Sequence, residues 1–100
     1  MTIRPGKTVY LSRTLIESVI WNIKLYLMNR YGISQAESDL APLAWYVGTG
    51  RASREFLLLL ARAKPYMVGR RLHEGGSYDE AIARVKAYLN TKAETEEERA

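Results

Sequence analysis

One hundred residues with 47% apolar and 26% charged content make one ordinary globular domain, with a core modest enough that oligomerisation would help its stability. The absence of cysteine excludes a disulfide scaffold and cysteine-ligated zinc. The net charge of +4 is unevenly spread. Residues 1–71 hold eleven Lys/Arg against four Asp/Glu, a net of +7, and residues 72–100 hold four against seven, a net of −3. A basic body with an acidic end suggests a polyanionic partner for the body.

Residues 1–10, MTIRPGKTVY, read as an arm. They lack the apolar core of a signal peptide, and a cytoplasmic location is expected. Pro5 and Gly6 break structure, and Lys7 to Leu11 can form a short strand or an extended lead-in. The longest periodic run follows, LSRTLIESVIWNIKLYLMNRY from Leu11 to Tyr31. At a helical step Leu15, Ile16, Val19, Ile20, Ile23, Tyr26, Leu27 and Tyr31 share one broad arc, which predicts an amphipathic helix over about 12–31. Ser12 is its expected N-cap and Gly32 its expected stop. Trp21, Leu25 and Met28, spaced i, i+4, i+7, form a second apolar stripe nearly opposite, a candidate protein interface that includes self-association. Glu17, Asn22 and Lys24 interrupt the run, so no membrane span is expected.

Ser34 and Glu37 have the spacing of a capping box and predict a second helix from there to about Val47. Pro42 within it predicts a kink or a restart near Asp39, and Leu40, Leu43, Ala44 and Val47 are the expected inner face. After Gly48-Thr49-Gly50, a third helix is expected from about Arg51 to Lys64, with Phe56, Leu57, Leu60 and Ala63 inward. Arg51, Arg54 and Arg62 then fall within about 80° of one another on its outer face. Pro65 ends that helix, and Tyr66 to Glu74 forms a short segment with Met67, Val68 and Leu72 inward. Gly75-Gly76 is a turn, Ser77 and Glu80 make a second capping-box pattern, and a last helix runs to about Asn90 on Ala81, Ile82, Val85, Tyr88 and Leu89. Residues 91–100, TKAETEEERA, are expected to be a solvated, disordered tail. The expected fold is all-α: a small bundle of four to five helices around the long N-terminal one, in a single helical domain at 11–90 with connections of about two to six residues.

Catalytic chemistry is thinly supplied. His73 is the lone histidine and sits at a helix end, where a capping or surface role is expected, and no second histidine or cysteine exists for a metal site. No carboxylate pair is positioned for acid–base work, and the glycines fit neither a P-loop nor a dinucleotide fingerprint. A non-enzyme is expected, with no cofactor, no metal and no small-molecule substrate. What remains is the basic set Arg51, Arg54, Arg62, Lys64, Arg70 and Arg71, opposed over 51–71 only by Glu55. Guanidinium forks suit phosphate, so a row of them can follow a nucleic-acid backbone without reading bases. Trp45, Tyr46 and Tyr66 lie close enough in sequence to stack on bases of a single strand, or to serve as core and rim packing.

The order of elements resembles the small helical subunit of type III CRISPR effector complexes, the non-catalytic subunit repeated along their inner filament. The likeness lies in Leu11-Ser12-Arg13-Thr14-Leu15, in the run Leu43-Ala44-Trp45-Tyr46-Val47-Gly48-Thr49-Gly50-Arg51, in the basic helix that follows, and in the terminal Ala87-Tyr88. It implies an RNA-contacting filament subunit of a ribonucleoprotein complex in antiviral defence, with Arg13, Arg51 and Arg54 matching backbone-contacting positions. Lys7 to Leu11, a helix, Gly32-Ile33-Ser34 and another helix also resemble ribbon-helix-helix DNA-binding dimers, although the first helix is several residues too long. A third expectation is a protein-interaction module, such as a viral or mobile-element factor that binds a host complex through the Trp21, Leu25 and Met28 stripe.

Overall fold

The structure, a computed structural model, describes residues 12–99 and the side chains of residues 12–91. The N-terminal arm, including the expected strand at Lys7 to Leu11, lies outside the described residues. Within them the chain is all-α, a bundle of five helices with no strand: α1 (Arg13–Tyr31), α2 (Ile33–Gly48), α3 (Arg54–Arg62), α4 (Pro65–His73) and α5 (Tyr78–Arg99).

Helix α1 begins where its cap dictates. The Ser12 hydroxyl accepts from the Leu15 N–H at 3.0 Å, and Arg30 stands in the last turn, where a cation suits the negative end of the helix dipole. Gly32 is the entire connection to α2. Its N–H donates to the Met28 carbonyl and its carbonyl accepts from the Ala36 N–H, so one residue closes one helix and opens the next. It does so at φ 95° and ψ 163°, a region open essentially to glycine alone. Ser34 is therefore already inside α2, and the capping box expected from Ser34 and Glu37 does not form.

Helix α2 is also continuous through Pro42, in place of the expected kink or restart near Asp39. The carbonyl that loses its donor there belongs to exposed Ser38, within reach of water. The inner face of α2 is rotated from the expected one. Ala36, Asp39, Pro42 and Leu43 are buried, Leu40 and Val47 are half-buried, and Ala44 is exposed.

Helix α3 starts three residues later than expected, because the Ser53 hydroxyl caps it by accepting from the Phe56 N–H at 3.1 Å. Arg51 consequently lies outside α3, in the turn after α2. Pro65 occupies the first turn of α4, where its missing N–H costs nothing. The capping box at Ser77 forms in full. Glu80 N–H donates to the Ser77 hydroxyl at 3.1 Å and Ser77 N–H donates to the Glu80 carboxylate at 2.8 Å. The bond from the Ser77 backbone, followed by that from its side chain, holds the Glu80 carboxyl below its usual range. Helix α5 continues past the expected end at Asn90 as far as Arg99.

Among the described residues no Cα of α1 comes within 8 Å of one of α5. Helices α2, α3 and α4 each contact both of them, and α2 also contacts α4. The bundle is thus two long outer helices with three shorter elements between them. The main arc of α1 packs on α2, α4 and α3. The core runs through the middle: Ile23 and Leu27 from α1, Leu43 from α2, Phe56 and Leu60 from α3, Val68 and Leu72 from α4, and Ile82, Val85 and Leu89 from α5. Each such side chain stabilises the fold by about 1.5–3 kcal/mol on full burial.

Helix α4 meets α1 closely at Gly69. A Cβ there would lie 2.6 Å and 2.9 Å from two ring carbons of Tyr26 on α1. Burial, then a hydrogen bond with Tyr31, raises the Tyr26 phenol above its usual value. Gly69→Ala gains about 1 kcal/mol of helix propensity, but the ring is pinned against the helix backbone. We expect a net loss of about 1–3 kcal/mol, read as a lower urea midpoint; a raised midpoint would show that α1 and α4 can part without cost.

Candidate nucleic-acid interface

The seven basic residues singled out in the sequence divide into four places. Arg13 opens α1, fully exposed beside Glu17 at 3.4 Å. Arg51 stands in the α2–α3 turn and Arg54 at the first position of α3. Arg62 and Lys64 flank the α3–α4 junction, and Arg70 and Arg71 lie on the last turn of α4. Because Arg51 is outside α3, only Arg54 and Arg62 share that helix's outer side. They are about 12 Å apart along its axis. Arg71 is the most engaged of the set: it is half-buried, 3.6 Å from Glu74, with its guanidinium 5.9 Å from the Tyr88 ring centre. Arg51, Arg62, Lys64 and Arg70 are exposed, and none has a carboxylate within ion-pair distance among the described residues.

The second cluster is aromatic. Trp45 near the end of α2 meets Tyr78, the first residue of α5, at 5.5 Å between ring centres. The Arg51 guanidinium lies 4.7 Å from the Trp45 ring centre, and the Lys86 ammonium 4.9 Å from that of Tyr46. Tyr46 itself packs edge-on to Phe56 at 5.1 Å and belongs to the rim of the core. Tyr78 and Lys86 are absent from the sequence-derived set. The signal for Tyr78 lay in its place directly after the capping serine, where a side chain flanks the helix end rather than entering the bundle.

Of the Trp21, Leu25 and Met28 stripe, Trp21 is 52% and Leu25 36% exposed, with the Lys24 ammonium 5.6 Å from the indole centre. Met28 is partly buried and packs against the core, so it joins the inner side of the helix and not the open one.

His73 corrects the expectation of a capping or surface residue. It forms a tertiary contact: Nδ1 donates to the Asp39 carboxylate at 2.6 Å, across 34 residues of sequence. Gln35 donates to the other oxygen of Asp39 at 2.8 Å, and the carboxyl side chain is only 5% exposed. The imidazole lies flat on the Tyr31 ring, 3.5 Å between centres and 5° between planes. Arg84 was also missed. Its guanidinium donates to the Arg71 carbonyl at 3.1 Å and to the Gly75 carbonyl, and lies 3.4 Å from Glu74, which satisfies carbonyls that α4 leaves unpaired at its end. No group of three or more metal-ligating side chains exists among the described residues, and none of the described helices is long and apolar enough to cross a membrane.

No family model matches this chain, and no curated protein or solved structure does so either.

Asp39 and His73 are expected to serve stability alone. His73→Phe keeps a ring against Tyr31 but strands a buried carboxylate oxygen, and should cost about 1–3 kcal/mol in urea unfolding. Adding Asp39→Leu should recover most of that loss. A single variant as stable as the parent would show that the contact contributes nothing.

Proposed function

We propose that this protein is a non-catalytic helical subunit of a nucleoprotein assembly, which contacts the phosphate backbone of RNA with little sequence preference. The observation that carries this reading is the set of exposed cations with no acidic partner among the described residues, Arg51, Arg62, Lys64 and Arg70, on a stretch with a single opposing carboxylate, Glu55. Each has its charge available to a phosphate without first giving up an ion pair. Arg54 shares the outer side of α3 with Arg62 and belongs to the same surface. RNA is preferred to DNA on the likeness of the Leu11–Leu15 and Leu43–Arg51 motifs to the small subunit of type III CRISPR effectors.

Binding of single-stranded RNA should weaken steeply with salt, with a log–log slope of about −0.7 per phosphate contacted. Changing Arg51, Arg54 and Arg62 together to Ala should shallow that slope by about 2 and raise the Kd more than tenfold. A flat slope in the parent chain, or an unchanged Kd in the triple variant, would sink the proposal.

Trp21 and Leu25 favour a second reading, an interface with another protein, a second copy included. An indole more than half exposed beside an exposed leucine is an apolar surface that association would cover. Light scattering should then give a mass that rises with concentration, and Trp21→Asp should hold the chain as a monomer. A monomer in both removes self-association through this face.

A further inference from the structure

We propose that Trp45 and Tyr78 form a stacking platform for the unpaired bases of a single-stranded nucleic acid, flanked by Arg51 and Lys86 as phosphate contacts. This deepens the backbone-binding reading above and rests on it. Three observations converge. The two rings come from different elements, the end of α2 and the start of α5, and meet at 5.5 Å with a 58° tilt, so together they present an angled aromatic surface. Tyr78 is 44% exposed and outside the core, so the part of its ring not in contact with Trp45 is open to a ligand. A face of Trp45 already accepts a planar cation, the guanidinium of exposed Arg51 at 4.7 Å from the ring centre.

A nucleobase is also planar and of similar thickness, and fits the face that the guanidinium holds. When a base takes that place, Arg51 stays close enough to turn its fork to the adjoining phosphate. Lys86, poised 4.9 Å from the neighbouring Tyr46 ring, supplies a second cation on the α5 side. The occupant is a single strand because the bases of a duplex are stacked on each other and offer no free face to a ring. Asp79, next in the chain to Tyr78, Glu80, which keeps its charge within the cap with Ser77, and Glu55, which lines the same hollow as Lys86, are the exposed carboxylates that oppose the strand here.

The test uses the full chain with Trp21→Phe, which leaves Trp45 as its single tryptophan. An oligouridylate of about twelve nucleotides is titrated in and Trp45 emission is followed, with a duplex RNA of equal length as the comparison. We expect quenching by the single strand and none by the duplex. Tyr78→Ala should weaken single-strand binding about tenfold, while Tyr78→Phe keeps the parent affinity and Asp79→Asn tightens it. Tyr78 is exposed at a helix start, so its replacement keeps the helical circular dichroism. Binding of the single strand with unchanged Trp45 emission, equal quenching by the duplex, or an unaltered Kd in Tyr78→Ala overturns the platform while leaving the backbone contacts in place. No salt-dependent binding of either RNA overturns both.

Discussion

The buried carboxylate of Asp39 sets the arrangement of this bundle. An acid placed among apolar side chains must find hydrogen-bond donors or forfeit several kcal/mol. Asp39 finds them in Gln35, one turn earlier on α2, and in His73 at the end of α4. To reach His73, α2 turns so that 36, 39 and 43 face inward, and that rotation leaves Ala44 in solvent. The imidazole then lies against Tyr31, the last residue of α1, so a single polar contact ties together the end of α1, the middle of α2 and the end of α4. The one-residue corner at Gly32 is the covalent counterpart of this knot, and the two act within a few residues of each other.

The helices were legible in the sequence because their signals are local. Ser12, Pro65, and Ser77 with Glu80 each act within three or four residues, and the helix starts marked by Ser12 and Ser77 are capped in the structure by hydrogen bonds of their own side chains. Where several local signals compete, the choice is made by packing. Ser34 and Glu37 have the spacing of a capping box, yet Gly32 starts α2 earlier and makes it redundant. Ser53 likewise overrode the reading that put Arg51 on the third helix. The expected inner face of α2 was built from apolar residues alone and so left out Asp39, which only a partner 34 residues away makes an inside residue. The basic residues of the candidate interface were legible as a set, since charge is read directly from composition. Their division among four places was not, and neither was the meeting of Trp45 with Tyr78, which depends on how α5 returns across α2.

Charge and aromatic surface occupy the same end of the fold's logic. The last turn of α2 contributes Trp45, and the α2–α3 turn and the start of α5 contribute Arg51 and Tyr78 beside the caps at Ser53 and Ser77. Side chains next to a capped helix end stand on firm backbone yet point away from the helix packing. This combination suits binding better than a core position or a loose loop does. The Trp21 side of α1 is different in kind: apolar, lightly charged, and borne on the exposed side of a long helix.

The separation of α1 from α5 also bears on how the two ends of the molecule communicate. The outside of α1 and the helix that carries Tyr78 lie on opposite sides of the three middle helices. Any mechanical message between those surfaces has to pass through the middle helices, and α2 is the one that carries Trp45 while touching both α1 and α5. Helix α2 is rooted at Gly32, tied at Asp39 and packed through Leu43 and Tyr46 at its far end, so it joins the two surfaces as one stiff strut.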